Sequence, residues 1–476
     1  MHIVFISNMS PYKENFSGTS ALPYHLMAER DDDIDIKIYT FNTNRLPEKE
    51  IKNVENELQV TIKKIPHPAW IKWVFRFHLL FLRIFLKYPI HHYITVPQNY
   101  VNEIKSKNPD LIWVYGAELS KVVKQFDGYK RIHTLPDSEA LYYHRMLSRR
   151  FVINDWKKFW RCVFMYPKFL NLEKNYDDSP DITYHLVGED DAKFLKNLNP
   201  KVNAKFLRHP HYEVRDNFNN SRHHENFNFN VNFNKCGHHE NDNENGTHTD
   251  NKSISKKFHS PKIKLLIAGQ YNLYMKQEAD LLIEQISAND NVNENRLLLA
   301  PSNLEGELRN GECNQCEIPE NTKTRSTSEA PIVHSSQLKK NYAITFLGKG
   351  WEKHVDDLRK AGFEVNHIRF APDYIEEICK HDIQITPIAI GTGTKGKVLD
   401  ALANGLLVIG TTYALENIAV KHGESCIEYH YPTEVIDILN DIPNNLDKYE
   451  RMAEAGRQAV LKYHNRRKIS SELFGG

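Results

Sequence analysis

What most limits the fold of this chain is a recurring alternation: short runs of β-branched and aromatic residues separated by stretches of helical length. In the first half the runs are His2–Ser7, Ile34–Phe41, Leu58–Ile65, Asp110–Gly116, Arg131–Pro136 and Asp181–Gly188, with helical stretches such as Ala21–Arg30 and Val101–Asn108 between them. A strand that is apolar on both faces must be covered on both. A helix between successive strands supplies that cover and brings the chain back to start the next strand parallel to the last. The pattern predicts an α/β fold, doubly wound around a parallel sheet.

The pattern lapses at about Glu213, resumes at Lys262 with Lys-Ile-Lys-Leu-Leu-Ile-Ala-Gly, lapses again from about Ala288 to Lys340 and returns at Ala343. Later runs are Val365–Phe370, Ile383–Ile390, Leu406–Thr412 and Cys426–His430, with helices predicted at Tyr374–Lys380, Lys397–Asn404 and Leu446–Tyr463. The interrupting stretches are polar, the first of them dominated by Asn, His, Asp and Lys, and carry too little aliphatic surface for a core. At 476 residues the chain is too long for one core. The predicted organisation is a first Rossmann-like domain at 1–212, a disordered insert at 213–261, a second Rossmann-like domain at 262–445 with a disordered insert at 288–340, and a final helix within 446–476 returning towards the first domain. Lys and Arg number 62 against 61 Asp and Glu, a net charge of +1, so no nucleic-acid partner is predicted and any basic surface is local. Six cysteines without a framework, behind a start that lacks a secretory signal, predict a cytoplasmic protein.

The most informative segment is Gln384–Thr412, in which a strand enters the Gly-Thr-rich turn Gly391–Lys395, a helix starts near Lys395, and Gly405 ends it before another strand. Amides at a helix start carry the positive end of the dipole and hold phosphate oxygens, which Lys395 or Lys397 would neutralise. Gly391 and Gly393 let a ligand approach the backbone. Asp400 lies one turn beyond Lys397 on the same face, within reach of sugar hydroxyls. A Gly-Thr turn that merely joins strand to helix has the same local signature.

The segment resembles the donor-binding motif of retaining glycosyltransferases of family 4, the glycosyl transferases of group 1. Pro387, Gly391, Gly393, Lys395, Lys397, Asp400, Ala401, Ala403, Gly405 and Val408 match it in order, and the likeness extends back through Leu265–Gln270, Phe346–Gly350 and Phe370-Ala-Pro-Asp. Two departures stand out: the acidic pair eight positions apart in many members is here Thr392 and Asp400. The resemblance implies a GT-B fold, with two doubly wound domains facing across a cleft, and transfer of a sugar from a nucleotide-diphosphate sugar to a polysaccharide or lipid-linked acceptor with retention of configuration. It places Gly391, Thr392, Gly393, Thr394, Lys395, Lys397, Val398, Asp400 and Ala371 at the donor, with Lys395, Lys397 and His133 as catalytic residues. No metal or other cofactor is expected, because helix amides and lysines supply the charge stabilisation a divalent ion would give. A nucleotide-sugar 2-epimerase, or a non-catalytic sugar-nucleotide or glycan-binding protein, would use the same architecture.

In the first half the loop Met9–Ser20 fills the place of the family's loop over donor and acceptor, with Gly18 and Thr19 as candidates, although a plain turn uses the same residues. His133-Thr-Leu-Pro-Asp-Ser-Glu adds Asp137, Ser138 and Arg145 facing the cleft; helix capping alone also accounts for the Asp-Ser pair. Ala69–Tyr88 reads as a helix with Lys72, Arg76, Arg83 and Lys87 on one stripe among aromatic and aliphatic residues. Four charges disfavour a spanning helix, leaving an interfacial one at the inner face of the cytoplasmic membrane, or a domain helix with its stripe in solvent. Asp155–Leu170 offers a second such surface. Cys236-Gly-His-His and Cys313-Asn-Gln-Cys316 have zinc-ligand chemistry but no strand or turn pattern to orient it, and no metal site is assigned.

Overall fold

The computed structural model describes residues 1–16, 18–78, 83–148, 155–215, 261–288 and 335–475. Most of both predicted inserts, with Cys236, Cys313 and Cys316, lies outside the described residues, as does Ser17.

Strands β1 (His2–Ser7), β2 (Asp35–Thr40), β3 (Thr61–Lys64), β4 (Leu111–Tyr115), β5 (Arg131–Leu135), β6 (Ile182–Leu186) and β7 (Ala204–Phe206) form one parallel sheet in the order β3-β2-β1-β4-β5-β6-β7. β1 shows why the run had to be apolar throughout. Val4 and Ile6 enter one core cluster while Ile3 and Phe5 enter the cluster on the opposite face. β7 escaped the sequence reading because it is three residues long, with Lys205 exposed in the middle.

A second parallel sheet joins β8 (Ile263–Ala268), β9 (Tyr342–Leu347), β10 (Glu364–Ile368), β11 (Ile383–Thr386), β12 (Leu407–Gly410) and β13 (Ile427–Glu428) in the order β10-β9-β8-β11-β12-β13. Here Leu265 and Ile267 of β8 face one cluster, and Leu266 and Ala268 the other. β11 is shorter than the apolar run Ile383–Ile390, because Pro387 has no N–H to extend the ladder. Strand order reverses once in each sheet, beside β1 and β4 in the first and beside β8 and β11 in the second. Crevices at such reversals, outside the carboxyl ends of the strands, are where open α/β sheets bind ligands.

The helix Leu446–Tyr463 packs on β12 and on the helix Gly396–Ala403, so it stays with the second sheet. The return to the first domain is made instead by the helix Arg466–Gly475, a correction to the predicted element. Phe474 meets Trp113 of β4 edge-on at 5.3 Å, the Ser470 hydroxyl donates to Leu26 O at 2.8 Å, and Arg466 pairs with Glu29 at 3.2 Å. His464 fastens the two chain crossings together. Its ring bonds His209 O and accepts from the Ala419 amide, and its carbonyl accepts from the His211 amide. Burial lowers its pKa to about 4, which keeps this connector neutral.

Among the described residues of the predicted helix over 69–88, the α-helix spans Ala69–Arg76, and His78 takes the left-handed conformation at φ +54°. A 3-10 turn follows at 83–85, and Lys168 of the helix Trp156–Lys174 donates to the carbonyls of Arg83 and Ile84. Both predicted surfaces present exposed aromatic side chains, Phe85 at 82 % with Trp73 and Phe77 on one and Trp156 at 70 % with Phe164 on the other. Among the described residues no helix is long and apolar enough to cross a membrane.

Candidate active site at the interdomain contact

The turn Gly391–Lys395 leaves β11 at the reversal point of the second sheet and leads into the helix Gly396–Ala403, whose start carries no side-chain cap. The preceding residues are pinned from within the domain, with the Ala389 amide donating to Tyr274 O at 2.7 Å and the Thr411 hydroxyl to Ile388 O at 2.6 Å. The first domain then meets the turn itself. Arg145 donates to Gly391 O at 2.6 Å, the Gly393 amide donates to Asp191 Oδ2 at 3.1 Å, and the Thr394 hydroxyl donates to Val187 O. Asn417 binds both sides, donating to Gly393 O at 3.0 Å and accepting from the Glu189 amide at 2.8 Å.

Two carboxylates of the first domain thus lie on the seat that sequence reasoning reserved for a diphosphate. Asp191 is fully buried, with Oδ1 taking the Ser138 amide and Oδ2 that of Gly393. Asp137 is half-buried against the turn, and a Cβ on Gly393 would sit 2.0 Å from its Oδ1. Burial raises the pKa of Asp137, opposed by the Lys395 ammonium and the Thr392 hydroxyl. An anion-seeking turn has found anions within its own chain.

The two lysines differ. Lys395 folds back so that its ammonium donates to Thr392 O and Gly393 O, bracing the turn rather than facing open cleft. Lys397 is exposed, with Nζ 4.1 Å from the centre of the Tyr374 ring, and the surrounding protein lowers its pKa against the pull of Asp400. Asp400 is 6 % exposed beneath the segment 209–212; it accepts the Tyr212 amide, its Oδ1 has no hydrogen-bond partner, and burial pushes its pKa up to about 7. Val398 is completely buried in the core of the second domain, so its side chain meets no ligand; Ala371 packs at the edge of the same cluster.

In the first domain His133 is a correction. It lies on β5 at 0 % exposure, with Nε2 2.8 Å from Gly116 O and its ring near Tyr176 and Tyr184, and burial lowers its pKa to about 4. It is a neutral core imidazole, because the alternation of β5 turns it into the sheet covering and not towards the strand end. Ser138 is buried too: its hydroxyl donates to Glu173 Oε2 at 2.7 Å and accepts from the Leu141 amide, a helix cap. Arg145 does reach the cleft, where its guanidinium bridges Gly391 O, Glu416 and Asp190. Gly18 and Thr19 sit in the loop after β1, at the start of the helix Ala21–Ala28. Gly18 has φ +150°, and a Cβ there would overlap Met9 Sδ.

Sequence reasoning missed Asp191, Glu416, Asn417 and Tyr212. Asp191 had a signal, since it closes the acidic start Glu189-Asp190-Asp191 of a helix. That run is explained as well by the helix dipole.

Residues 329–474 match the family model described as glycosyl transferase-like. Among solved structures, Anabaena HepE in complex with UDP aligns over 99 % of this chain and 98 % of its own, at 9 % identity and a TM-score of 0.54. Sucrose-phosphate synthase from Thermosynechococcus elongatus covers 99 % of this chain and 97 % of its own, at 9 % identity and 0.56. WaaG, a glycosyltransferase involved in lipopolysaccharide biosynthesis, covers 100 % of both at 11 % identity and 0.51. The chain has the GT-B fold of these structures, and its likeness to the glycosyl transferase-like family spans residues 329–474. None of the curated proteins matches it. In this GT-B frame the turn Gly391–Lys395, at the reversal point of the second sheet, meets first-domain residues that follow β5 and β6, Arg145 and Asp191.

Proposed function

We propose that this protein transfers a sugar from a nucleotide-diphosphate sugar to a glycan or lipid-linked acceptor with retention of configuration. The observation that carries the reading is the turn Gly391–Lys395: an uncapped helix start at the reversal point of the second sheet, facing the first domain, with Lys397 exposed beside it. HepE, which shares the fold, has been solved with UDP and with UDP-glucose.

The turn offers amides to diphosphate oxygens once Asp191 and Asp137 withdraw from it, so donor entry and domain movement are coupled. Lys397 then faces the charge that grows on the leaving diphosphate, while Lys395 holds the turn in shape. In the reaction the bond between the anomeric carbon and the diphosphate oxygen breaks and a bond to the acceptor oxygen forms on the same face. The acceptor proton passes to the leaving diphosphate. Asp400 would meet the ribose after Tyr212 has moved aside. Lys397→Ala should lower kcat/KM for the donor by about a hundredfold, with Lys397→Arg recovering part of it. An unchanged rate in Lys397→Ala would remove the assigned role, and an inverted product by NMR would remove retention.

The exposed aromatics Trp73, Phe77 and Phe85 beside Arg76 and Lys87, and Trp156 and Phe164 beside Lys157, fit a lipid interface with anionic headgroups, where a lipid-linked acceptor resides. Sedimentation with vesicles containing anionic lipid, and a loss of it in Phe85→Ser/Trp156→Ser, are expected. Equal sedimentation with neutral vesicles would contradict the charge-assisted mode.

A further inference from the structure

The contact between the domains is an exchange of helix caps. The helix Glu189–Leu198 of the first domain starts after Gly188, which has no side chain to cap it, and its Glu189 amide donates to Asn417 of the second domain at 2.8 Å. The turn Gly391–Lys395 opens a helix that likewise lacks a side-chain cap, and its Gly393 amide donates to Asp191, in the first turn of that same first-domain helix. Each domain satisfies an amide that the other leaves open. A clasp lies alongside, in which Arg145 holds Asp190 of its own domain, Glu416 of the second and the carbonyl of Gly391. Ile390, the residue before the turn, joins the core cluster of the first domain, so an apolar anchor sits beside the polar one.

This exchange works against any anion that seeks the turn. Asp191 is completely buried, and each of its carboxylate oxygens accepts an amide, that of Ser138 or that of Gly393. Asp137 lies against the same turn, near the Lys395 ammonium. An incoming phosphate oxygen therefore meets two carboxylates and finds the Gly393 amide already used. Asn417 keeps the arrangement in place from a left-handed backbone at φ +66°. Its side chain donates to Gly393 O in its own domain and accepts the Glu189 amide of the other, so only the closed arrangement gives it both partners.

We propose that the contact is an autoinhibitory latch: at rest Asp191 and Asp137 stand in the place of the donor diphosphate, Asn417 and Arg145 keep them there, and an anion binds the turn only in the minor population whose domains have parted. Naming the anion as a donor diphosphate rests on the transferase reading above; the competition for the turn does not. When only a fraction of the molecules can bind, the apparent dissociation constant rises by the inverse of that fraction, so a weaker latch gives tighter binding. The test is calorimetric titration of the full chain with inorganic pyrophosphate. Asn417→Gly keeps the left-handed backbone while removing the cap, and Asp137→Asn removes a charge; each should bind pyrophosphate about fivefold more tightly than the parent. Residues that merely shaped the turn would loosen binding on removal. Circular-dichroism melts show whether each variant is folded, and if Asn417→Gly is not, Asp137→Asn decides. Equal or weaker binding in a folded variant, or no binding to any form, overturns the proposal. UDP and GDP are titrated in parallel. If pyrophosphate follows the expected order and neither nucleotide binds, the donor reading falls and the latch stands; if the nucleotides bind parent and variants alike, the latch falls and the donor reading stands.

Discussion

Gly393→Ala is expected to leave both domains folded, to separate them at their central contact, and to lower transfer at least about a hundredfold, because the added Cβ projects into the space that the donor diphosphate would take once Asp137 withdraws. The residue has φ +64°, a conformation that costs an L side chain about 1–2 kcal/mol. The added Cβ would lie 2.0 Å from Asp137 Oδ1 and 3.0 Å from the carbonyl oxygen of Pro136. The carboxylate has room to swing away; the Pro136 carbonyl, held in the backbone at the end of β5, has none. The contact opens, and with it go the Gly393 bonds to Asp191 and Asn417. Small-angle scattering should show a larger radius of gyration. Gly391→Ala is the control, since its Cβ would press only on the flexible end of Lys395 and its φ is not positive. A Gly393→Ala protein as compact and as active as the parent would show that the contact is dispensable.

Arg145→Ala is the second large effect. The Arg145 side chain is 12 % exposed and that of Glu416 14 %, and they pair through both carboxylate oxygens at 2.6 and 2.9 Å. Burial already raises the pKa of Glu416, with Arg145 as its main counterweight. Removing the guanidinium strands that carboxylate and uncaps Gly391 O, for a loss of about 3–5 kcal/mol in urea unfolding. Adding Glu416→Gln should return most of it, because the stranded charge is then gone. Arg145→Lys should not, since an ammonium lacks the two-pronged geometry. If the double variant is no more stable than Arg145→Ala, the loss does not run through Glu416.

The sheets were legible in the sequence because a strand buried on both faces has to be apolar at every position, as β1 and β8 are. The turn Gly391–Lys395 was legible for a related reason: Pro387 and Gly405 bracket it, and few other arrangements use such punctuation. Side-chain direction was not. His133 and Lys395 have suitable chemistry near suitable places, yet one faces into the core and the other turns back on its own carbonyls. The partners of Arg145 were equally hidden, Glu416 lying 271 positions further along with no local feature to mark it. The helix over 69–88 failed because an amphipathic stripe persists through His78, where the backbone departs from helical geometry.

The last helix has a bearing on how this molecule is made. Ile469, Leu473 and Phe474 fill a slot over β1, β2 and β4 together with Leu22, Leu26 and Trp113, so the first sheet is roofed by a helix that follows the second. A fragment stopped at residue 215 would expose that slot, and the earliest-made sheet is sealed only after residues 466–475 have left the ribosome.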